Sequence, residues 1–166
     1  MRTVVIGCGN VLRGDDAAGP ELVRRLRETG PPAEVRCVDG GTGGLDAVFQ
    51  MRGAERVIFV DACRSGGEPG MVYEVPGEEV ENLPPLSGIN LHALRWDHAI
   101  ALGRRLLAED YPRRVTAYLI EGRQFEIGAS LSPEVDDAVS RLAARLGTHA
   151  GTRRGRSRRR GDPQSP

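Results

Sequence analysis

Two short β-branched runs, residues 2–7 (RTVVIG) and 56–61 (RVIFVD), set the architecture open to this sequence. Runs of this length that are apolar on both alternating faces and stop at Gly or Asp are the pattern of strands buried on both sides of a parallel sheet. Residues 34–39 (EVRCVD), 70–75 (GMVYEV) and 114–120 (RVTAYLI) read as three further strands, the fourth in chain order with the alternation of an edge. Helical periodicity fills the intervals, over residues 20–28, 45–51 and 91–109. The last helix is the clearest: Ser132 stands at the N-cap, Pro133 at the first helical position, and Val135, Ala138, Val139, Leu142 and Leu146 form one apolar stripe. Strands that alternate with helices predict βαβ units with right-handed crossovers, an α/β fold with helices on both faces of one sheet.

A length of 166 residues suits one such domain. Residues 151–166 hold six arginines, one aspartate and almost nothing apolar, which leaves 17 arginines against 22 carboxylates in residues 1–150. The expected organisation is a folded domain over 1–150, of net charge about −5, and a disordered Arg-rich tail over 151–166, of about +5.

Every one of the 23 basic residues counted as Lys or Arg is arginine. Without a lysine amine the chain has no Walker A phosphate loop, Schiff base or Ser-Lys dyad. Three cysteines (Cys8, Cys37 and Cys63) lack C-x-x-C spacing, so neither a disulfide framework nor a zinc ribbon is readable, and a reducing cytoplasm is the expected location. The N-terminus lacks the apolar core of a signal peptide, and no apolar run reaches membrane-span length. Neither a membrane nor nucleic acid is an expected partner, and a monomer is the expected state.

In an open parallel sheet, ligands bind at the carboxyl ends of the strands. The first strand is followed by GCGNVLRGDD, the second by Asp39 and GGTGG, the third by Asp61, and His92 sits early in the long helical pattern. A dinucleotide fingerprint fails because Leu12 occupies the third glycine of G-x-G-x-x-G. A phosphoacceptor receiver site fails because it needs a lysine after the fifth strand.

Asp16, Asp61 and His92 remain: two carboxylates and an imidazole, a donor set suited to a divalent first-row metal such as nickel or zinc, with coordination positions left open. Asp15 and Asp16 are adjacent, so only one of them is expected to reach a metal. The structural alternative is that Asp16 and His92 cap helices and Asp61 satisfies loop amides. His98 follows His92 by six positions, roughly 120° around a helix, and cannot share its metal from regular geometry. Trp96 fits core packing or a pocket wall. Cys63 lacks a thiolate-stabilising setting, and a buried inert thiol is expected. Neither G-x-S-x-G nor H-E-x-x-H occurs.

Four segments, GCGNVLRGDDAAG at 7–19, DGGTGG at 39–44, VIFVDA at 57–62 and NLHALRWDH at 90–98, resemble in order and separation those of the hydrogenase maturation proteases. These endopeptidases trim the C-terminus of the nickel–iron hydrogenase large subunit. The resemblance runs from Met1 to about Leu146. It implies a three-layer α/β/α sandwich around a five-stranded, mostly parallel mixed sheet with one antiparallel strand. It implies that Asp16, Asp61 and His92 are the metal-contacting catalytic positions, and that Asn10, Asp39, Gly40, Gly41 and Thr42 line the same cleft. It also implies that the nickel is supplied by the substrate, a nickel-loaded large-subunit precursor, and is not held tightly by the free enzyme. Ala17-Ala18 stands where many relatives carry Gly and an apolar residue, and the arginine tail has no matched counterpart. Two chemistries are compatible: a nickel-polarised carbonyl attacked by water with a carboxylate as base, or a nickel that only positions the peptide. The alternative function is a metal-sensing chaperone that binds the precursor without cutting it.

Overall fold

The computed structural model describes residues 2–81 and 96–149. Five strands form one sheet: β1 (Thr3–Cys8), β2 (Val35–Gly41), β3 (Arg56–Cys63), β4 (Val72–Pro76) and β5 (Arg114–Glu121). Their spatial order is β2-β1-β3-β5-β4, with every neighbouring pair parallel except β4, which runs antiparallel to β5. All six residues of β1 are buried, and so are six of the eight in β3, as strands covered on both faces require. The edges are wetter: no residue of β2 is fully buried, and β4 ends in Pro76, whose missing N–H is tolerated at a sheet margin.

Among the described residues five helices cover the sheet: α1 (Ala18–Glu28), α2 (Gly44–Met51), α3 (Gly77–Glu81), α4 (Trp96–Leu107) and α5 (Pro133–His149). On one face Leu22, Val23 and Leu26 of α1 join Val135, Val139, Leu142 and Leu146 of α5 over Val5, Ile58 and Ile120. On the other, Val48 and Met51 of α2, Val80 of α3 and Ile100 of α4 pack over Ile6, Phe59 and Ala117. This alternation of β1 and β3 residues between the two clusters makes the three-layer α/β/α sandwich.

Several boundaries differ from the periodicity reading for local reasons. The first helix begins at Ala18 rather than at Pro20, after a 3-10 turn over Gly14–Ala17. Pro20 is thereby in the first helical turn, where its missing N–H has no intrahelical acceptor to forgo. Ala17 (φ −76°) and Ala18 (φ −57°) are both right-handed, so alanine is unstrained at both positions. The fourth strand starts at Val72 because Gly70 is left-handed (φ +81°) and turns the chain. The five-residue α3 escaped periodicity, having one buried apolar position, Val80. The long helix is described from Trp96 and ends at Leu107, with a 3-10 turn at Ala108–Asp110, short of residue 109; its expected start at 91 lies outside the described residues. The last helix continues past Leu146 to His149, where Thr148 donates its hydroxyl back to Ala144 O. The Arg-rich segment 151–166 also lies outside the described residues.

The close fit of α1 to the sheet depends on Gly19. A Cβ there would stand 2.2 Å from Cys8 O and 2.4 Å from Val60 O. The glycine that lets this helix approach the strands thus comes ten residues after Gly9, not at Leu12, where the dinucleotide fingerprint would place it.

Candidate active site

The chain crosses from β1 outward to β2 and then back over to β3, so the direction of winding reverses between β1 and β3. Such a switch point leaves a crevice at the strands' carboxyl ends. An open cleft of about 780 Å³ lies there, and Asp16 and Asp61 both line it. Asp61 sits inside β3 and is 8% exposed, with Oδ1 accepting the Ala62 amide at 2.8 Å. Asp16 sits in the 3-10 turn after β1, and its Oδ2 accepts the Asn10 amide at 3.1 Å. It therefore braces the β1 loop rather than capping a helix amide.

Gly9 is the hinge of this arrangement. Its φ of +129° is a backbone state that L side chains rarely adopt. A Cβ on it would lie 1.9 Å from Asp16 O and 3.4 Å from Asp61 Oδ1. The bare backbone of Gly9 is thus what allows the Asp16 turn and the Asp61 carboxylate to come together. His92, the third member of the set, lies outside the described residues. Among the described residues no group of three or more His, Cys, Asp or Glu side chains is placed to hold a metal ion.

The two adjacent aspartates do diverge. Asp15 is fully buried and points away from the cleft, accepting the amides of Arg123 (2.7 Å), Gln124 (2.9 Å) and Ser132 (2.6 Å). Of the other residues expected along the cleft, Gly41 and Thr42 form its wall. Asn10, Asp39 and Gly40 are outside that lining and instead shape the turn after β1 and the end of β2. Asn10 Oδ1 accepts the Leu12 amide at 2.9 Å, Asp39 Oδ1 accepts the Gly41 amide at 3.0 Å, and the Cα of Gly40 packs so that a Cβ would stand 2.8 Å from Ile6. Short side chains that can hydrogen-bond the backbone two residues on make local turns, and that use competes with facing a ligand.

Three contributors were not foreseen. Asp97, at the start of α4, lines the cleft and accepts the His98 amide at 3.0 Å. His98 Nδ1 stands 3.2 Å from Asp97 Oδ1, so this histidine is engaged with its neighbour. Glu79 of α3 adds another carboxylate to the lining. Glu121, at the carboxyl end of β5, is almost wholly buried and accepts from the Ser65 hydroxyl (2.6 Å), the Ser65 amide (2.8 Å), the Gly66 amide (2.9 Å) and Cys63 Sγ (3.3 Å). Burial opposes its ionisation, but those donors outweigh it and hold the carboxyl down to about 2. Glu121 is a positioning residue, since the loop it ties begins with Cys63 and Arg64 of the cleft wall. The signal was present: Glu121 is an acid at the carboxyl end of a buried strand, and Asp61 lies two residues before such an end.

Neither cleft cysteine is a nucleophile. Burial, then the Asp61, Asp39 and Asp97 carboxylates, push the Cys8 thiol far up, while burial and then Glu121 push Cys63 up to about 12. Both remain protonated at neutral pH, as expected of structural thiols.

This carboxylate-floored crevice accompanies similarity to known proteins. A family model described as hydrogenase maturation protease matches residues 20–149. The chain belongs to this family of peptidases. It is 34% identical over 151 residues to the hydrogenase expression/formation protein HupD of Rhodobacter capsulatus, covering 87% of this chain and 71% of that protein. It is 30% identical over 146 residues to HoxM of Cupriavidus necator, covering 84% and 71%. The hydrogenase maturating endopeptidase HybD from E. coli superposes with a TM-score of 0.72 at 25% identity, covering 88% and 90% of the two chains. The fold is also that of the HycI maturation protease from Thermococcus kodakarensis, with a TM-score of 0.71 at 23% identity. The maturation protease fold expected from the motifs is therefore the observed one.

Proposed function

We propose that this chain is the endopeptidase that removes the C-terminal extension of a nickel-loaded nickel–iron hydrogenase large-subunit precursor, with Asp16, Asp61 and His92 contacting the nickel carried by that substrate. The observation that carries this reading is the convergence of Asp16 and Asp61 across Gly9 at the β1/β3 crevice. Asp16, Asp61, Glu79 and Asp97 give the cleft four carboxylates against the two guanidiniums of Arg13 and Arg64, an excess of negative charge that favours a peptide bearing a divalent cation. The two aspartates and His92 would hold the metal side of the substrate. An ionised carboxylate beside the scissile carbonyl can take the proton of an attacking water and return it to the departing amine.

The partner is the precursor itself, met in the cytoplasm by a monomer. Among the described residues no helix is long and apolar enough to cross a membrane. The nickel enters and leaves with the substrate, so the free protein is expected to bind it weakly. Incubation of the protein with nickel-loaded and with nickel-free precursor, followed by intact mass, tests the reading. The loaded form should lose a C-terminal peptide and the nickel-free form should not. A loaded precursor that binds but keeps its full mass would overturn the protease reading in favour of a chaperone.

A further inference from the structure

Val11, Leu12 and Ile127 are the three most exposed large apolar side chains among the described residues, at 62%, 65% and 82%. They come from two loops more than a hundred positions apart in sequence, and the structure stitches these loops together. The Gly128 amide donates to Leu12 O at 2.8 Å, and the Gly14 amide donates to Ala129 O at 3.2 Å. Beneath them Asp15 receives the Arg123, Gln124 and Ser132 amides. The three side chains therefore stand on a braced platform whose ordering has been completed before any partner arrives.

This ridge is continuous with the cleft. Arg13, the next residue after Leu12, lines the cleft and donates its Nε to Phe125 O at 3.3 Å. Phe125 lines the cleft as well, and the Arg64 guanidinium lies over its ring at 5.2 Å. Arg13 and Phe125 thus belong both to the cleft lining and to the two loops that carry the exposed apolar residues, and Arg64 lies against the Phe125 ring. Isolated apolar side chains on a surface need no partner, but a preorganised group beside a substrate cleft does.

We propose that Val11, Leu12 and Ile127 form an exosite that docks the folded body of the protein substrate, outside the segment that enters the cleft. Side chains this exposed project outward and suit an apolar depression on a folded partner rather than an extended peptide, and Arg13 and Arg64 favour acidic groups at its margin. The inference rests on the endopeptidase reading for the identity of the partner.

The test uses the chain carrying Asp61→Asn, so that bound precursor stays uncut, and measures its affinity for nickel-loaded precursor by calorimetry. Adding Leu12→Ser and Ile127→Ser should weaken binding roughly tenfold, the loss expected when interface anchors are truncated. Adding Phe49→Ser, a residue of α2 that is 60% exposed, should change nothing. In the otherwise unaltered enzyme the same pair of ridge substitutions should raise KM for precursor about as much while leaving kcat near its starting value. Unchanged affinity and KM in the ridge variants overturn the exosite. A concentration-dependent dimer in sedimentation that the ridge substitutions abolish assigns the surface to a second copy of the chain and also overturns it. Failure of the unaltered chain to shorten precursor would sink the endopeptidase reading alone, because the calorimetric comparison does not depend on cleavage.

Discussion

The Asp15 carboxylate accepts both the amide of Ser132, at 2.6 Å, and its hydroxyl, at 2.9 Å, joining the turn after β1 to the residue that precedes α5. Neither residue touches the cleft. Together they fix the loops on which Asp16, Arg13 and Phe125 depend, because Asp15 also holds the amides of Arg123 and Gln124.

Asp15→Ala is accordingly expected to destabilise the protein severely. It leaves three backbone donors without their acceptor around a fully buried position, each costing about 1–3 kcal/mol. Urea unfolding should show a stability lowered by about 3–5 kcal/mol in total, at the upper end of single substitutions, with the midpoint shifted down in proportion. A loss under 1 kcal/mol would mean that the two loops hold together without it.

Asp16→Ala, Asp61→Asn and His92→Ala should each reduce precursor processing by a factor of roughly 10² or more, the scale of a lost acid–base or metal-contacting group. The fold should survive in all three by circular dichroism, since Asp16 is only half-buried and Asp61 spends one oxygen on its own neighbour's amide. Cys63→Ala should retain most activity, its thiol being protonated well above neutral pH. Near-normal processing by any two of the three site variants would refute the assignment.

Glu121 predicts a pH dependence with a definite sign. Its carboxyl falls from an ordinary 4.5 to about 2 in the folded protein, so the folded state binds fewer protons between those values. The stabilisation is fully present above pH about 4.5 and is lost as the pH falls through about 2. Glu121→Gln should lower Tm at pH 7, and the difference from the parent should shrink steadily below pH 4.5. A constant difference across that range would show that the charge is not what holds the 65–66 amides.

Close packing at Gly19 leads to a comparison of two alanine substitutions. Gly19→Ala places a Cβ 2.2 Å and 2.4 Å from two strand carbonyls that cannot yield, and should cost roughly 3 kcal/mol or more. Gly53→Ala has open space but a left-handed backbone (φ +68°), and should cost only about 1–2 kcal/mol. Chemical denaturation of the two variants would check the order. Equal costs would mean that α1 can lift from the sheet without penalty.

Local pattern in the amino-acid sequence was enough for the elements whose burial repeats with a regular period. The doubly buried runs at β1 and β3, the capped stripe of α5 and the α/β alternation were legible because burial on a given face imposes a period that needs no knowledge of the partner. The same logic found Asp61, since an acid close to the carboxyl end of a buried strand is delivered to that edge of the sheet. Long-range contacts, by contrast, set which of two chemically identical neighbours faces which way. Asp15 and Asp16 are indistinguishable as a dipeptide, and the amides of Arg123, Gln124 and Ser132, more than a hundred residues away, draw one of them inward. Glu121 as a loop anchor, Asp97 and Glu79 in the cleft wall, Asn10 and Asp39 turned to backbone support, and the Gly19 contact were settled in the same way. Each depends on the partner that folding places opposite the side chain, and a hydrogen-bond partner or a steric neighbour distant in sequence leaves no trace in local periodicity.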